Sequence, residues 1–191
     1  MALQTRAIKR RMKSVKNTRK ITKAMELVAA SKMRKAVAST LASRPYARLG
    51  WDTVYAIGRV TDTTHHPLLR RHGTQGRVLL LLLTSDRGLA GGFNTNIIRK
   101  TFAELKEIGT GEIDVIAVGK RGADAMRRAK RNLIATFTEI TNNPKFEEVI
   151  PIGHMIVEEY KKKTYDRVLI AYTYFVSTIL QKPNILELLP L

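Results

Sequence analysis

The sequence predicts an α/β protein: a long N-terminal coiled-coil helix followed by an open sheet domain with helices on both faces. Three observations carry that expectation. No Gly or Pro occurs between Met1 and Arg44, so the strongest breakers of regular structure are missing there. Beyond residue 77, short apolar runs alternate with longer stretches of helical periodicity, as strands do when crossover helices join them. The charge also divides unevenly. Of 34 Lys and Arg in the chain, residues 1–50 hold 14 against one acid, Glu26, a net of +13. Residues 51–191 hold 20 against 15 acids, a net of only +5.

In the first segment, apolar or small residues recur at Ile8, Met12, Val15, Thr18, Thr22, Met25, Ala29, Met33 and Ala36. Steps of three and four average near the coiled-coil spacing of about 3.5. The remaining positions are rich in Lys, Arg, Ala, Met and Leu, all good helix formers. One helix is expected from about residue 3 to Arg44, on the order of 60 Å long. Pro45 is expected to bend or interrupt it. Tyr46–Val60 continues it more weakly, because Gly50 and Gly58 fall there. The domain boundaries that follow are a basic helix over 1–60, a linker over 61–77 and an α/β domain over 78–191. The linker assignment rests on Thr61–Pro67, Arg70–Gly73 and Gly76.

Val78–Leu83 is a continuous apolar run, as in a strand buried on both faces of a parallel sheet. Ile97–Ile108 reads as helix, Val115–Val118 as strand, Lys120–Arg131 as helix and Leu133–Phe137 as strand. Phe146–Lys163 reads as a longer helix and Val168–Tyr172 as another strand. Thr178–Gln181 and Ile185–Leu189 supply one or two further strands at the edge. The whole is a Rossmann-like open sheet. These helices are claimed by the sheet, yet the long first helix needs a partner along its apolar stripe. That partner is expected to be another chain, or a segment beyond this sequence.

Composition removes several function classes. Cysteine is absent, which excludes disulfides, thiolate metal sites and cysteine nucleophiles. The apolar run Val78–Leu83 falls far short of the roughly 20 residues of a membrane-spanning helix. Met1–Arg6 carries charge but no apolar signal core. A soluble, intracellular, very basic protein is the expectation.

The densest local pattern is Thr84-Ser85-Asp86-Arg87-Gly88-Leu89-Ala90-Gly91-Gly92-Phe93-Asn94-Thr95-Asn96, directly after the first strand. A glycine-rich turn between strand and helix can hold phosphate on free N–H groups. The spacing here matches neither the dinucleotide fingerprint nor the P-loop, and no Lys follows until Lys100. A structural turn is expected, with close strand–helix approach and an Asn cap. Ser85 and Asp86 sit where doubly wound enzymes place chemistry, but no order of His65, His66, His72 and His154 is diagnostic of a triad. The pair His65-His66 has no carboxylate at ligand spacing. No catalytic residue, cofactor, metal or small-molecule substrate is expected.

The basic helix admits two readings. It can neutralise nucleic-acid phosphates, or it can face an acidic protein surface. No aromatic residue precedes Tyr46, so stacking platforms for single strands are missing. A basic nucleic-acid-binding module remains the alternative.

Longer stretches then narrow the choice. Ile8-Lys9-Arg10-Arg11-Met12-Lys13-Ser14-Val15-Lys16-Asn17-Thr18 and Lys20-Ile21-Thr22-Lys23-Ala24-Met25-Glu26-Leu27-Val28-Ala29-Ala30-Ser31-Lys32-Met33-Arg34-Lys35 resemble the N-terminal helix of the gamma subunit of F-type ATP synthases. Ser43-Arg44-Pro45-Tyr46 fits its end. Ser85-Asp86-Arg87-Gly88-Leu89-Ala90-Gly91-Gly92-Phe93-Asn94 resembles the family's second hallmark, with Ala90 where many members have Cys, and Leu188-Leu189-Pro190-Leu191 is similar to a further familial stretch.

The resemblance implies a non-catalytic central-stalk rotor. Its partners would be the alpha and beta subunits of the catalytic hexamer, the epsilon subunit and the c-subunit ring, with no nucleic acid. It implies coupling of proton flow to ATP synthesis, and a peripheral position on the bacterial plasma membrane's cytoplasmic face or on an organellar inner membrane. Lys20, Lys23, Met25 and Glu26, then Ser31, Lys32, Met33, Arg34 and Lys35, match the family's subunit-contact and coupling stretch. Ser85, Asp86, Arg87, Gly88, Gly91, Gly92 and Asn94 match its turn. The family continues past Leu191 with a C-terminal gamma helix that winds antiparallel on the first and is absent from this chain.

Overall fold

The computed structural model describes residues 2–60, 66–70, 76–109, 112–142 and 144–191. It forms two compact units, Met1–Ala56 and Ile57–Leu191. The first is built on α1, a helix of 59 residues from Ala2 to Val60, on the order of 90 Å long. Of the two outcomes expected at Pro45, a bend or an interruption, the interruption does not occur, and helix runs through it. A proline forfeits one ladder bond, and helix on both sides keeps propagation favourable through it. Gly50 and Gly58 face open space and cost only about 1 kcal/mol each relative to Ala.

The second unit carries β1 (Val78–Leu83), α2 (Phe93–Glu107), β2 (Ile113–Val118), α3 (Lys120–Arg128), β3 (Asn132–Phe137), α4 (Phe146–Lys161), β4 (Arg167–Phe175) and β5 (Gln181–Leu189). The strands form one sheet in the order β3-β2-β1-β4-β5. The first four are parallel, and β5 runs antiparallel to β4. Alternation along β1 shows why its run is apolar throughout. Val78, Leu80 and Leu82 pack with Ile97 and Leu105 of α2 and Met126 of α3. Leu79 and Leu81 pack with Ile152, Ile156 and Tyr160 of α4. Both faces of the central strand are covered, so neither can be polar.

Several expected boundaries move: β2 begins at Ile113 instead of Val115 and β4 spans Arg167–Phe175 instead of Val168–Tyr172, and four further changes have local causes. The helix expected at Ile97 starts at Phe93. The one expected to reach Arg131 ends at Arg128, where Lys130 adopts φ 53° and Arg131 N–H donates to Met126 O. The one expected to reach Lys163 ends at Lys161 in the same way, with Lys163 at φ 61° and Thr164 N–H on Glu159 O. Lysine stands at the left-handed closing position that glycine usually takes, so no stop signal is visible in the sequence. Finally, Thr178–Leu180 is a turn: the N–H groups of Val176 and Ser177 donate to Leu180 O, while Ser177 Oγ accepts from Ile179 and Leu180. One strand, Gln181–Leu189, follows it.

Within the expected linker, only residues 66–70 and 76–77 are described. Residues 66–70 form a turn packed on the second unit, with Leu68 against the cluster beneath α4. Residues 61–65 and 71–75 lie outside the described residues.

Candidate functional site

Two surfaces gather the residues singled out above. On α1, the apolar stripe is uncovered. Met25 and Met33 are 51% and 49% exposed, and Ile8, Met12 and Val15 are more exposed still. Lys23 Nζ donates to both carboxylate oxygens of Glu26 at 3.1 Å. Glu26 being the one acid in residues 1–50, the field of Lys20, Lys32, Arg34 and Lys35 is left unneutralised within that stretch. Ser31 lies among them on the same exposed helix. The product is a stiff rod carrying an apolar seam inside a cationic coat.

The second surface is the turn at the carboxyl end of β1. Ser85 N–H donates to Asn94 Oδ1 at 3.0 Å, and Asn94 Nδ2 donates to Ser85 Oγ at 2.8 Å. The Ser85 hydroxyl is spent on Arg87 O at 2.7 Å. The cap of α2 is therefore not asparagine, as the sequence suggested. Gly92 holds that position without a side-chain bond, and Asn94 instead ties the helix back to the strand. Gly91 has φ 53°, which a glycine adopts without strain. Gly88 lies under the Arg121 guanidinium, and Arg87 is exposed.

Asp86 is the centre of this end of the sheet. Its carboxylate accepts the N–H of Lys120 and of Glu139, each at 3.0 Å, and the Thr141 hydroxyl. Burial raises its pKa, but the bonds from Thr141, Lys120 and Glu139 outweigh burial and hold it below the ordinary carboxylate range. Lys120 opens α3. The helix N-terminus, where a doubly wound enzyme would receive a phosphate, is occupied here by the protein's own anion. The same residue joins the loops after β1, β2 and β3.

Sequence reasoning missed the neighbours that make this possible. Thr84 is buried, and its Oγ1 lies 3.2 Å from both Val118 O and Gly119 O while accepting Gly122 N–H at 2.9 Å. Gly119 has φ 98°, and a Cβ there would lie 2.3 Å from Thr84 O. The signal was present as Gly119 immediately after an apolar strand, with Gly122 three residues on. Of the histidines, His154 is exposed on α4 and His66 Nδ1 accepts Leu68 N–H; His65 and His72 lie outside the described residues.

A family model described as ATP synthase matches residues 4–191. The ATP synthase gamma chain of Desulfitobacterium hafniense is 40% identical over 186 residues, which is 97% of this chain and 66% of that protein. This chain belongs to the ATP synthase gamma family. The gamma chain of Alkaliphilus metalliredigens is 38% identical over 191 residues, covering 65% of its length. The chain thus spans slightly less than two thirds of these gamma chains. A structure of the Tetrahymena thermophila mitochondrial ATP synthase central stalk and c-ring holds a similar chain, with a TM-score of 0.61 and 27% identity over 89% of this chain and 72% of that one. Gamma-family membership gives no support to the nucleic-acid alternative.

Proposed function

We propose that this chain is the N-terminal part of a central-stalk rotor subunit, which couples proton flow through a membrane ring to ATP synthesis in an alpha/beta hexamer by rotation. The observation that carries it is α1: 59 unbroken helical residues with an uncovered apolar seam and a net charge of +13 over residues 1–50. A rod transmits torque if it is stiff. Its seam takes a second helix, and the related gamma chains are longer than this one, which covers 66% of the Desulfitobacterium hafniense protein. Its coat of cations steers and orients it among acidic partners. In this reading the domains are a shaft over 1–60 and a foot built on the sheet over 78–191.

The partners are the alpha and beta subunits around the shaft, the epsilon subunit and c-subunit ring at the foot, and the C-terminal gamma helix. In this reading the subunit's role is mechanical, and the α3 N-terminus, where an anion would otherwise sit, is taken by Asp86. The subunit rides peripherally on the energy-coupling membrane. Among the described residues no helix is long and apolar enough to cross it. Lys20, Lys23, Met25 and Glu26, with Ser31 to Lys35, form the contact stretch, and the turn from Ser85 to Asn94 is structural.

Met25→Lys in a complete subunit places a charge in the seam, where it must be desolvated. The expected result in inverted membrane vesicles is a larger loss of ATP-driven proton pumping than of ATP hydrolysis. Equal loss of both would refute a coupling role for this position. Purification of the complete subunit without alpha, beta and epsilon would refute the rotor reading itself.

A further inference from the structure

Residues 51–191 carry a net charge of +5, and the whole of that excess lies in one place. Lys120–Arg131 holds six Lys and Arg against a single acid, Asp124. The other residues from 51 onward balance, 14 against 14. On α3, Gly122, Ala123, Ala125 and Met126 are buried, with Met126 in the core beside β1. The cations are thereby confined to the outer side, where Arg121, Arg127, Arg128, Lys130 and Arg131 are all exposed. Asp124 is paired with Arg127 at 3.2 Å, so the others are left with their charge.

This cationic side borders a groove of about 590 Å³ between α2 and α3. Ile98, Phe102 and Ala103 of α2 line it, with Ala125 of α3. Steps of three and four place the α2 residues on one side of their helix, next to the side on which Ile97, Thr101 and Leu105 are buried. Ala103 and Ala125 are too short to fill the space, which is what leaves the trough open. Arg99 and Lys106 of α2 and Arg128 of α3 line it as well. Arg99 Nη2 donates to the neutral Asn96 Oδ1 at 3.2 Å. No ion pair among the described residues includes Arg99, Lys106 or Arg128. From Ile98 to Lys106 the lined face of α2 runs about 12 Å, just over two helical turns.

The two halves of this lining make different demands. Cations alone would suit a phosphate backbone, but a phosphate backbone has no use for an apolar trough. An apolar trough two turns long takes the side chains of a helix at i, i+3, i+4 and i+7. The cations along it then select acids on the flanks of that helix and repel a basic one. We propose that the groove between α2 and α3 is a docking site for an acidic amphipathic helix of another protein. The proposal goes beyond the rotor reading and does not depend on it, because every group it uses lies in the α/β unit.

The test uses the full chain and a synthetic helical peptide with leucines at i, i+3, i+4 and i+7, glutamates flanking them and one photoreactive side chain. Adducts are mapped by mass spectrometry after irradiation. Adducts on α1, which is also cationic and apolar, are expected in every variant and serve as the internal control. Adducts between residues 95 and 128 should fall about tenfold in Lys106→Glu with Arg128→Glu, since two exposed charge pairs are reversed. Arg128→Lys should label as wild type does. Ala103→Trp fills the trough without altering charge and should abolish the same adducts. Urea midpoints matching wild type exclude unfolding as the cause. Absence of adducts in that segment, or adducts that survive these substitutions, would overturn the site. Equal labelling by a peptide with serines for leucines would overturn the groove and leave a charged surface such as nucleic acid also binds. A dimer of the chain alone that Arg128→Glu dissolves would replace the separate partner by a second copy.

Discussion

Asp86→Asn is the sharpest single test of how the strand ends are held. The native carboxylate receives two backbone N–H groups and the Thr141 hydroxyl. Hydrogen bonds to a charged acceptor are worth about 1.5–3 kcal/mol each. Asp86 is only partly buried, so the lower end applies. Asn keeps one acceptor oxygen but loses at least one bond and the charge. Facing the first turn of α3, that charge is worth about another 0.3–1 kcal/mol. The expected loss at neutral pH is about 2–4 kcal/mol, read from urea denaturation of the full chain by near-ultraviolet dichroism of its buried tyrosines. The pH dependence supplies the check. The folded pKa lies below the ordinary aspartate range, so the carboxylate's contribution is fully present above the unfolded pKa and is lost as pH falls through the folded one. The gap between wild type and Asp86→Asn should therefore close as the solution is acidified below about pH 4. A gap that persists unchanged in acid, or one under about 1 kcal/mol at neutral pH, would show that the carboxylate is not what joins these loops.

Two further substitutions test neighbouring claims. Gly119→Ala should cost more than about 3 kcal/mol, because a φ of 98° and a backbone oxygen 2.3 Å from the new Cβ act together. Gly91→Ala, with φ 53° and open space around it, should cost only about 1 kcal/mol, and comparable denaturation midpoints for the two would contradict this. Tyr165→Phe removes the hydroxyl that donates to the buried Asp114 carboxylate at 2.7 Å and should cost about 1.5–3 kcal/mol, even though Asn132 still donates to that carboxylate. Adding Asp114→Asn should then cost less than it does in the wild-type background, and strict additivity in that double-mutant cycle would show the pair to be uncoupled.

Much of the architecture was legible because it follows from periodicity. Six consecutive apolar residues in β1 can be accommodated only with both faces covered. Steps of three and four along α1 mark a seam whatever lies against it. The limits of elements were less legible where local chemistry was atypical: Lys130 and Lys163 close helices without the usual glycine, and Pro45 sits inside a helix too long for it to end. At the turn, the residue list from Ser85 to Asn94 was visible, but the bonds were not. Asn94 looked like a cap and is a tether. Asp86 was expected in a structural turn, and its role there is that of a clamp whose partners come from 34 to 55 residues away in the chain.

The sequence by itself determined the kinds of element, the division of charge between a cationic helix and a nearly balanced α/β unit, and the family, because these properties are written in composition, spacing and motif. Only the tertiary structure decided the strand order, the need for Gly119 beneath Thr84, the filling of the α3 N-terminus by Asp86 and the bonds of Tyr160 to Arg70 and of Arg77 to Asp166. Each of these depends on groups far apart in the chain meeting within hydrogen-bond reach, and one-dimensional periodicity carries no information about which loops the sheet will bring together.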